Sequence, residues 1–155
     1  MSKHAHKQTR LHPNDASIGK TTVIITTHNY GCFLAWCVHS VYAQTLQAAR
    51  VIIVDDASED NTKELVSHLP HPVEYYRVEY RNAQKTRNFG LSKATSEYVI
   101  FLDADDYMAD RMLEQLERTL NENPSARLTY CDKFVFGDPD SMQKLNLPYY
   151  WQADE

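Results

Sequence analysis

Three carboxylates occupy four consecutive positions at Asp103-Ala104-Asp105-Asp106, directly behind the apolar run Tyr98-Val99-Ile100-Phe101-Leu102. Two hard oxygen donors at the open end of a strand can hold a divalent cation such as Mn2+ or Mg2+, with whatever phosphate that cation carries. Side chains alternate along extended backbone, so Asp103 and Asp105 are expected to point one way and Ala104 the other. A second acidic pair, Asp55-Asp56, closes the β-branched run Val51-Ile52-Ile53-Val54. A third run, Val23-Ile24-Ile25, ends in Thr26-Thr27-His28-Asn29. Three apolar segments therefore each deliver polar groups at their C-terminal ends, where open α/β sheets bind ligands.

The elements that must carry these groups alternate along the chain. A strand over 22–27 precedes a helix over 31–43, in which Leu34, Cys37, Val38 and Val41 recur at helical spacing. The strand 51–54 runs into an acid-rich turn, residues 55–61, whose last members can cap a helix with Leu65, Val66 and Leu69 facing inward. That helix stops before Pro70 and Pro72. Residues 73–78 form a more polar strand, expected near an edge, followed by a short helix over 85–93 and the strand that ends at Asp103. Asp110 is positioned to cap a helix with Met112, Leu113, Leu116 and Leu120 on one stripe, broken near Asn123-Pro124. A last strand is expected over 127–136, before the turn Gly137-Asp138-Pro139-Asp140. Strand–helix alternation of this kind predicts a Rossmann-like, doubly wound, mostly parallel α/β sheet.

At 155 residues the chain is long enough for one domain with a real core, and 43% hydrophobic with 24% charged residues is ordinary globular composition. A net charge of −5 without a basic stripe argues against a nucleic-acid partner, but not against a nucleotide carried by a metal ion. No apolar run approaches the length of a membrane span, and no signal peptide is expected. Residues 1–18 read as a flexible tail despite His4, His6 and His12; residues 19–140 read as the folded domain and 141–155 as a C-terminal tail carrying Tyr149-Tyr150-Trp151. Cys32, Cys37 and Cys131 lack metal-finger spacing and fit reduced thiols in a cytoplasmic protein, with Cys37 expected in the core. Peripheral attachment to a membrane is left open.

Five segments, in order, resemble the family-2 glycosyltransferases of the GT-A fold. They are Val23 to Tyr30, the helix ending Ser40-Val41-Tyr42-Ala43-Gln44-Thr45, the turn Val54 to Thr62, Arg87-Asn88-Phe89-Gly90 followed by Glu97-Tyr98-Val99, and the D-x-D motif Leu102-Asp103-Ala104-Asp105-Asp106. The resemblance implies a nucleotide-diphosphate sugar as donor, with uridine favoured, and an inverting, metal-dependent transfer to an unidentified acceptor that is a glycan, lipid-linked or a protein. It implies that Thr27, His28 and Asn29 line the base pocket, with His28 in place of a usual Tyr. It further implies that Asp55 accepts from a uracil-type imide, that Asp56 holds the turn or touches ribose, and that Arg87 lies near base or phosphates. Asp103 would bind ribose or the metal's shell, and Asp105 would ligate the Mn2+ or Mg2+ directly.

Two departures from the family pattern stand out. The loop from Asn82 to Arg87 is short and lacks the usual Gly. The acceptor-binding half is expected to be missing from this chain, or supplied by a second subunit. Of the acids after residue 136, Asp138, Asp140, Asp154 and Glu155, none sits in a recognisable base motif, so the catalytic residue is unknown and the base is expected to be absent. The alternative reading is a truncated module that binds the donor without turnover. A phospho-acceptor receiver domain is excluded by order, because its acidic pair would follow the first strand, which here ends in Thr-Thr-His-Asn.

Overall fold

The protein's structure, a computed structural model, describes residues 17–133. Four strands, β1 (Thr21–Thr27), β2 (Arg50–Asp56), β3 (Glu74–Val78) and β4 (Tyr98–Asp103), alternate with α1 (Gly31–Tyr42), α2 (Thr62–Ser67), α3 (Ala83–Lys93) and α4 (Met112–Glu122). All strand pairs are parallel and the order across the sheet is β3-β2-β1-β4. The chain thus steps from β1 to β2 to β3, then returns to the other side of β1. That reversal between β1 and β4 is the crossover point at which doubly wound sheets open a crevice.

The β-branched runs explain the centre of the sheet. Val23, Ile25, Val51 and Ile53 face α1 and α4, packing with Leu34, Cys37, Val38, Val41 and Leu113. Ile24, Ile52 and Val54 face the opposite side, against Phe89 of α3. Both faces of β1 and β2 are buried, which is why these strands read as continuous apolar runs. Gly90 lets α3 approach closely: a Cβ there would lie 2.5 Å from Cγ2 of Ile24. β3 takes the edge position expected from its polarity.

Several local expectations are corrected. Residues 127–133 carry no strand, and 134–136 lie outside the described residues, as do 1–16 and the turn and tail after 136. Their sequence supplies a β-like run, yet the outer edge of β4 stays unpaired and β4 pairs only with β1 among the described residues. Asp110 does not cap α4: the residue before the helix is Arg111, without a side-chain cap, and the Asp110 carbonyl instead accepts from Thr45 N at 2.8 Å. α3 begins at Ala83 rather than Lys85, because Asn82 caps it by accepting from Lys85 N at 3.0 Å. The short segment after Asn82 is therefore the helix's first turn, not a loop. Ser17 and Ile18 already belong to the fold, through an Ile18–Gln47 bridge and the bond from Gln47 N to the Ser17 carbonyl.

Candidate functional site

The C-terminal ends of β1 and β4, with the start of α3, enclose an open cleft of about 480 Å3. Thr26, Thr27, His28 and Tyr30 line it from β1, Asp103, Ala104 and Asp105 from β4, and Arg81, Asn82, Thr86 and Arg87 from the α3 side. Asp56 reaches the same cleft, whereas Asp55 and Asn29 do not line it.

The pleat separates the two acids of β2. Asp56 shares the face of Val54 and α3, and Asp55 the face of Ile53. Asp55 is fully buried; its Oδ1 accepts from Ser58 N at 2.9 Å, and its Oδ2 from the Tyr75 hydroxyl at 2.5 Å and Arg77 Nη1 at 3.3 Å. Burial, followed by the bond to Asp55, pushes the Tyr75 phenol up to about 12, so Tyr75 stays a donor. Asp56 accepts from the Tyr80, Arg81 and Asn82 amides at 2.7 Å each and from the Thr86 hydroxyl at 2.8 Å. Burial alone would raise this carboxyl; the Thr86 hydroxyl and the three amides outweigh it and hold it below the usual carboxylate range. Arg81, at φ 46°, bends the backbone so that its amides converge on that single anion.

His28 and Asn29 brace the loop from β1 to α1. The Asp56 carbonyl can only accept, so His28 Nδ1, 2.5 Å away, carries the proton, and Nε2 accepts from Asn29 Nδ2 at 3.3 Å. Asn29, at φ 59°, accepts with Oδ1 from the amides of Glu59 and Asp60, while its own amide donates to Ser58 Oγ at 2.9 Å. Asp60 in turn accepts from Gly31 N and Thr62 N, both at 3.0 Å, placing one carboxylate at the N-termini of α1 and α2. The expected capping by the acidic turn is thus done by Asp60, while Asn61 makes no side-chain cap bond.

The end of β4 is built differently. Oδ1 of Asp103 accepts from Arg87 Nη2 at 2.6 Å and from the Thr26 hydroxyl at 3.1 Å, while the Asp103 side chain remains about half exposed, at 49%. Extended backbone stops at Asp103, and Asp106 N bonds back to the Asp103 carbonyl at 3.0 Å. Asp103 and Asp105 therefore share the cleft through a turn, not through strand alternation, and Ala104 also touches it. Asp105 and Asp106 are exposed. Burial and then the charges of Asp105 and Asp103 push the Asp106 carboxyl up, which records how closely negative charge is gathered here. Thr27 Oγ1, buried at the cleft, is the one buried side-chain polar atom without a hydrogen-bond partner among the described residues.

Ser40 and Gln44, quoted above only as part of a helix-ending landmark, turn out to hold the acidic loop. The Ser40 hydroxyl accepts from Met108 N at 3.0 Å. Gln44, 2% exposed, donates to the Ala109 carbonyl at 2.8 Å and accepts from Leu113 N at 3.0 Å. Cys37 donates to the Asp103 carbonyl at 3.6 Å, and burial, with the nearby carboxylates, lifts its thiol to about 12, which makes it an inert core group. The signal in the sequence was a polar Ser40 on an otherwise apolar helix face, with a polar Gln44 just past the helix end.

The glycosyl transferase family 2 model matches residues 22–152. The chain belongs to that family. It is 37% identical over 112 residues to the poly(ribitol-phosphate) beta-N-acetylglucosaminyltransferase TarP of Staphylococcus aureus, covering 68% of this chain and 34% of TarP. The structure of S. aureus TarS 1-349 in complex with UDP-GlcNAc superimposes with a TM-score of 0.61 at 26% identity, over 68% of this chain and 32% of TarS. The mannosyltransferase PcManGT from Pyrobaculum calidifontis, in complex with GDP-Man and Mn2+, aligns with a TM-score of 0.52 at 25% identity, over 70% of this chain and 33% of its own. The chain spans about a third of the length of the curated relatives it matches. The fold of this family-2 chain is the one its resemblance implied. No helix among the described residues is long and apolar enough to cross a membrane.

Proposed function

We propose that the β1–β4 cleft binds a nucleotide-diphosphate sugar, and that the chain belongs to an inverting, metal-dependent glycosyltransferase. The observation that carries this reading is the pairing of an orphaned, buried Thr27 hydroxyl with the open carboxylates Asp103 and Asp105 in one cleft at the sheet crossover. A buried hydroxyl without a partner is costly unless a ligand satisfies it. The neighbours bound to UDP-GlcNAc and to GDP-Man with Mn2+ support a sugar nucleotide, and the former favours UDP.

The donor set suits Mn2+ or Mg2+. Asp103 and Asp105 offer hard oxygens but, among the described residues, no group of three metal-binding side chains closes around an ion by itself. Asp105, and Asp103 beside it, would hold an ion whose remaining ligands come from the diphosphate. Such an ion, when bound, neutralises charge building on the leaving diphosphate. Arg87, on Asp103 at 2.6 Å, adds a positive charge over the same region. Thr27 would donate to the nucleotide, while His28, its Nδ1 proton fixed by the Asp56 carbonyl, presents a set ring orientation at the cleft wall. Asn29, Asp55 and Asp56 would act at one remove, by fixing the loops that bound the base pocket.

Transfer would form a bond from the acceptor oxygen to the anomeric carbon as the bond to the diphosphate breaks, with the hydroxyl proton passing to a base. The acids considered for that role, Asp138, Asp140, Asp154 and Glu155, lie outside the described residues. Donor binding without turnover by this chain alone is the second reading. Thermal-shift measurements with UDP, GDP and UDP-GlcNAc, with and without Mn2+, test the first: a ligand at a hundredfold excess over its Kd adds about 2.7 kcal/mol to stability. A rise in Tm that needs both UDP and Mn2+ is expected, and no rise with any nucleotide contradicts donor binding. Release of UDP from UDP-GlcNAc by the same preparation separates turnover from binding alone.

A further inference from the structure

Two guanidinium groups line the cleft among the described residues, those of Arg87 and Arg81, and their surroundings differ. Arg87 is committed to Asp103, 2.6 Å away. Arg81 directly precedes the Asn82 cap of α3, and its backbone is fixed: φ is 46° and its amide donates to Asp56 Oδ1 at 2.7 Å. Its side chain is held far less. It is 71% exposed, and its partner among the described residues is Glu59, at 3.1 Å and itself 75% exposed. Glu59 does not line the cleft. The cation therefore sits on the cleft wall while its counter-charge lies outside.

The charges in the cleft favour a change of partner. A donor would bring its diphosphate to a wall that already carries Asp103 and Asp105. A divalent cation would balance those two carboxylates, and Arg87 is already occupied by Asp103, so the diphosphate's own charge calls for another cation. The first turn of α3, whose Asn82, Ala83 and Thr86 also line the cleft, carries no acid to oppose an anion. An exposed ion pair such as Arg81–Glu59 contributes little and is readily given up. A planar guanidinium on a long stem engages phosphate bidentately, and such bonds are among the stronger ones.

We propose that Arg81 moves from Glu59 to the donor's diphosphate, and that Glu59 holds it back in the empty site. This rests on the reading of the cleft as the donor site and adds to it a built-in competitor. Because the bridge must break before phosphate is engaged, the population still on Glu59 lowers the apparent affinity for donor. The two partners therefore act with opposite sign. Titration calorimetry of UDP with Mn2+ into the 155-residue chain reads this directly. Arg81→Gln is expected to weaken UDP about tenfold and Glu59→Gln to strengthen it about twofold. Arg81→Lys, which keeps the charge, should recover part of the loss, and Glu59→Gln should add nothing to Arg81→Gln. The loss in Arg81→Gln should be smaller for UMP, which lacks the second phosphate. If Arg81→Gln and Glu59→Gln weaken UDP alike, the pair is a clamp between two loops and the proposal fails. Equal losses for UDP and UMP would put the guanidinium on the nucleoside and overturn it too. UDP binding that neither variant alters removes this inference and leaves the donor reading; no UDP binding by the wild type removes both.

Discussion

The acids at the end of β2 and those at the end of β4 are the same residue types two strands apart, yet they do opposite work. Asp55 and Asp56 are 0% and 4% exposed, and their oxygens are taken up by backbone amides, hydroxyls and Arg77. They are internal anions that fold the surrounding loops onto themselves. Asp103 is half exposed, and Asp105 and Asp106 are exposed beside an unpartnered hydroxyl. An acid whose hydrogen bonds are complete is scaffold; one held in place with capacity left over is available to a ligand.

Breaking the scaffold acid should cost most. Asp56→Ala leaves the amides of residues 80–82 without their acceptor, while the Thr86 hydroxyl keeps the Asn82 carbonyl, and is expected to lower stability by about 3 kcal/mol in urea unfolding. The same carboxylate carries a pH signature. Its folded pKa lies below the ordinary 3.8, so its stabilisation is present above that value and is lost as pH falls through the lower folded one. Acid unfolding of Asp56→Asn should therefore show a shallower loss of stability below pH 3.8 than the wild type. If the two acid curves superimpose, Asp56 is not the anchor described.

Gly90→Ala drives a methyl against fully buried Ile24 and is expected to cost about 2 kcal/mol by overpacking. Because α3 also carries Arg87, ligand-induced stabilisation should fall with it. Ser40→Ala removes the acceptor for Met108 N and should cost about 1 kcal/mol, read as a lower urea midpoint with an unchanged slope. Asp105→Asn stands at the other extreme, with a change in unliganded stability of less than about 0.5 kcal/mol, as for a surface site without partners. Its whole effect should appear in the loss of the Mn2+-dependent Tm rise. A large destabilisation in Asp105→Asn would erase the distinction between the two acidic regions.

Much of this was legible in the sequence, for a physical reason. Val23 to Ile25 and Val51 to Val54 are buried on both faces, and such strands announce themselves by continuous β-branched residues. The alternating order, and the position of Asp103 at the end of an apolar strand, likewise followed from local pattern. What escaped depends on contacts between distant segments. Nothing near Asp56 announces that the amides of residues 80–82 will converge on it, nor that Asn29 will clamp residues 59 and 60. The turn at 104–106, which replaces the expected alternation, is closed by the backbone bond from Asp106 to Asp103. Glu117, a charged residue of α4 to which the sequence pattern assigned no role, is 6% exposed and accepts from Lys20 N and the Thr21 hydroxyl at 2.8 and 2.6 Å.

Paramagnetic line broadening by Mn2+ addresses the division between the two acidic regions most directly. In amide NMR spectra of the chain with UDP, substoichiometric Mn2+ is expected to broaden the signals of residues 103–106 first and those of 26–28 next. Broadening centred on residues 55–60, or spread evenly over the acidic surface, would contradict it.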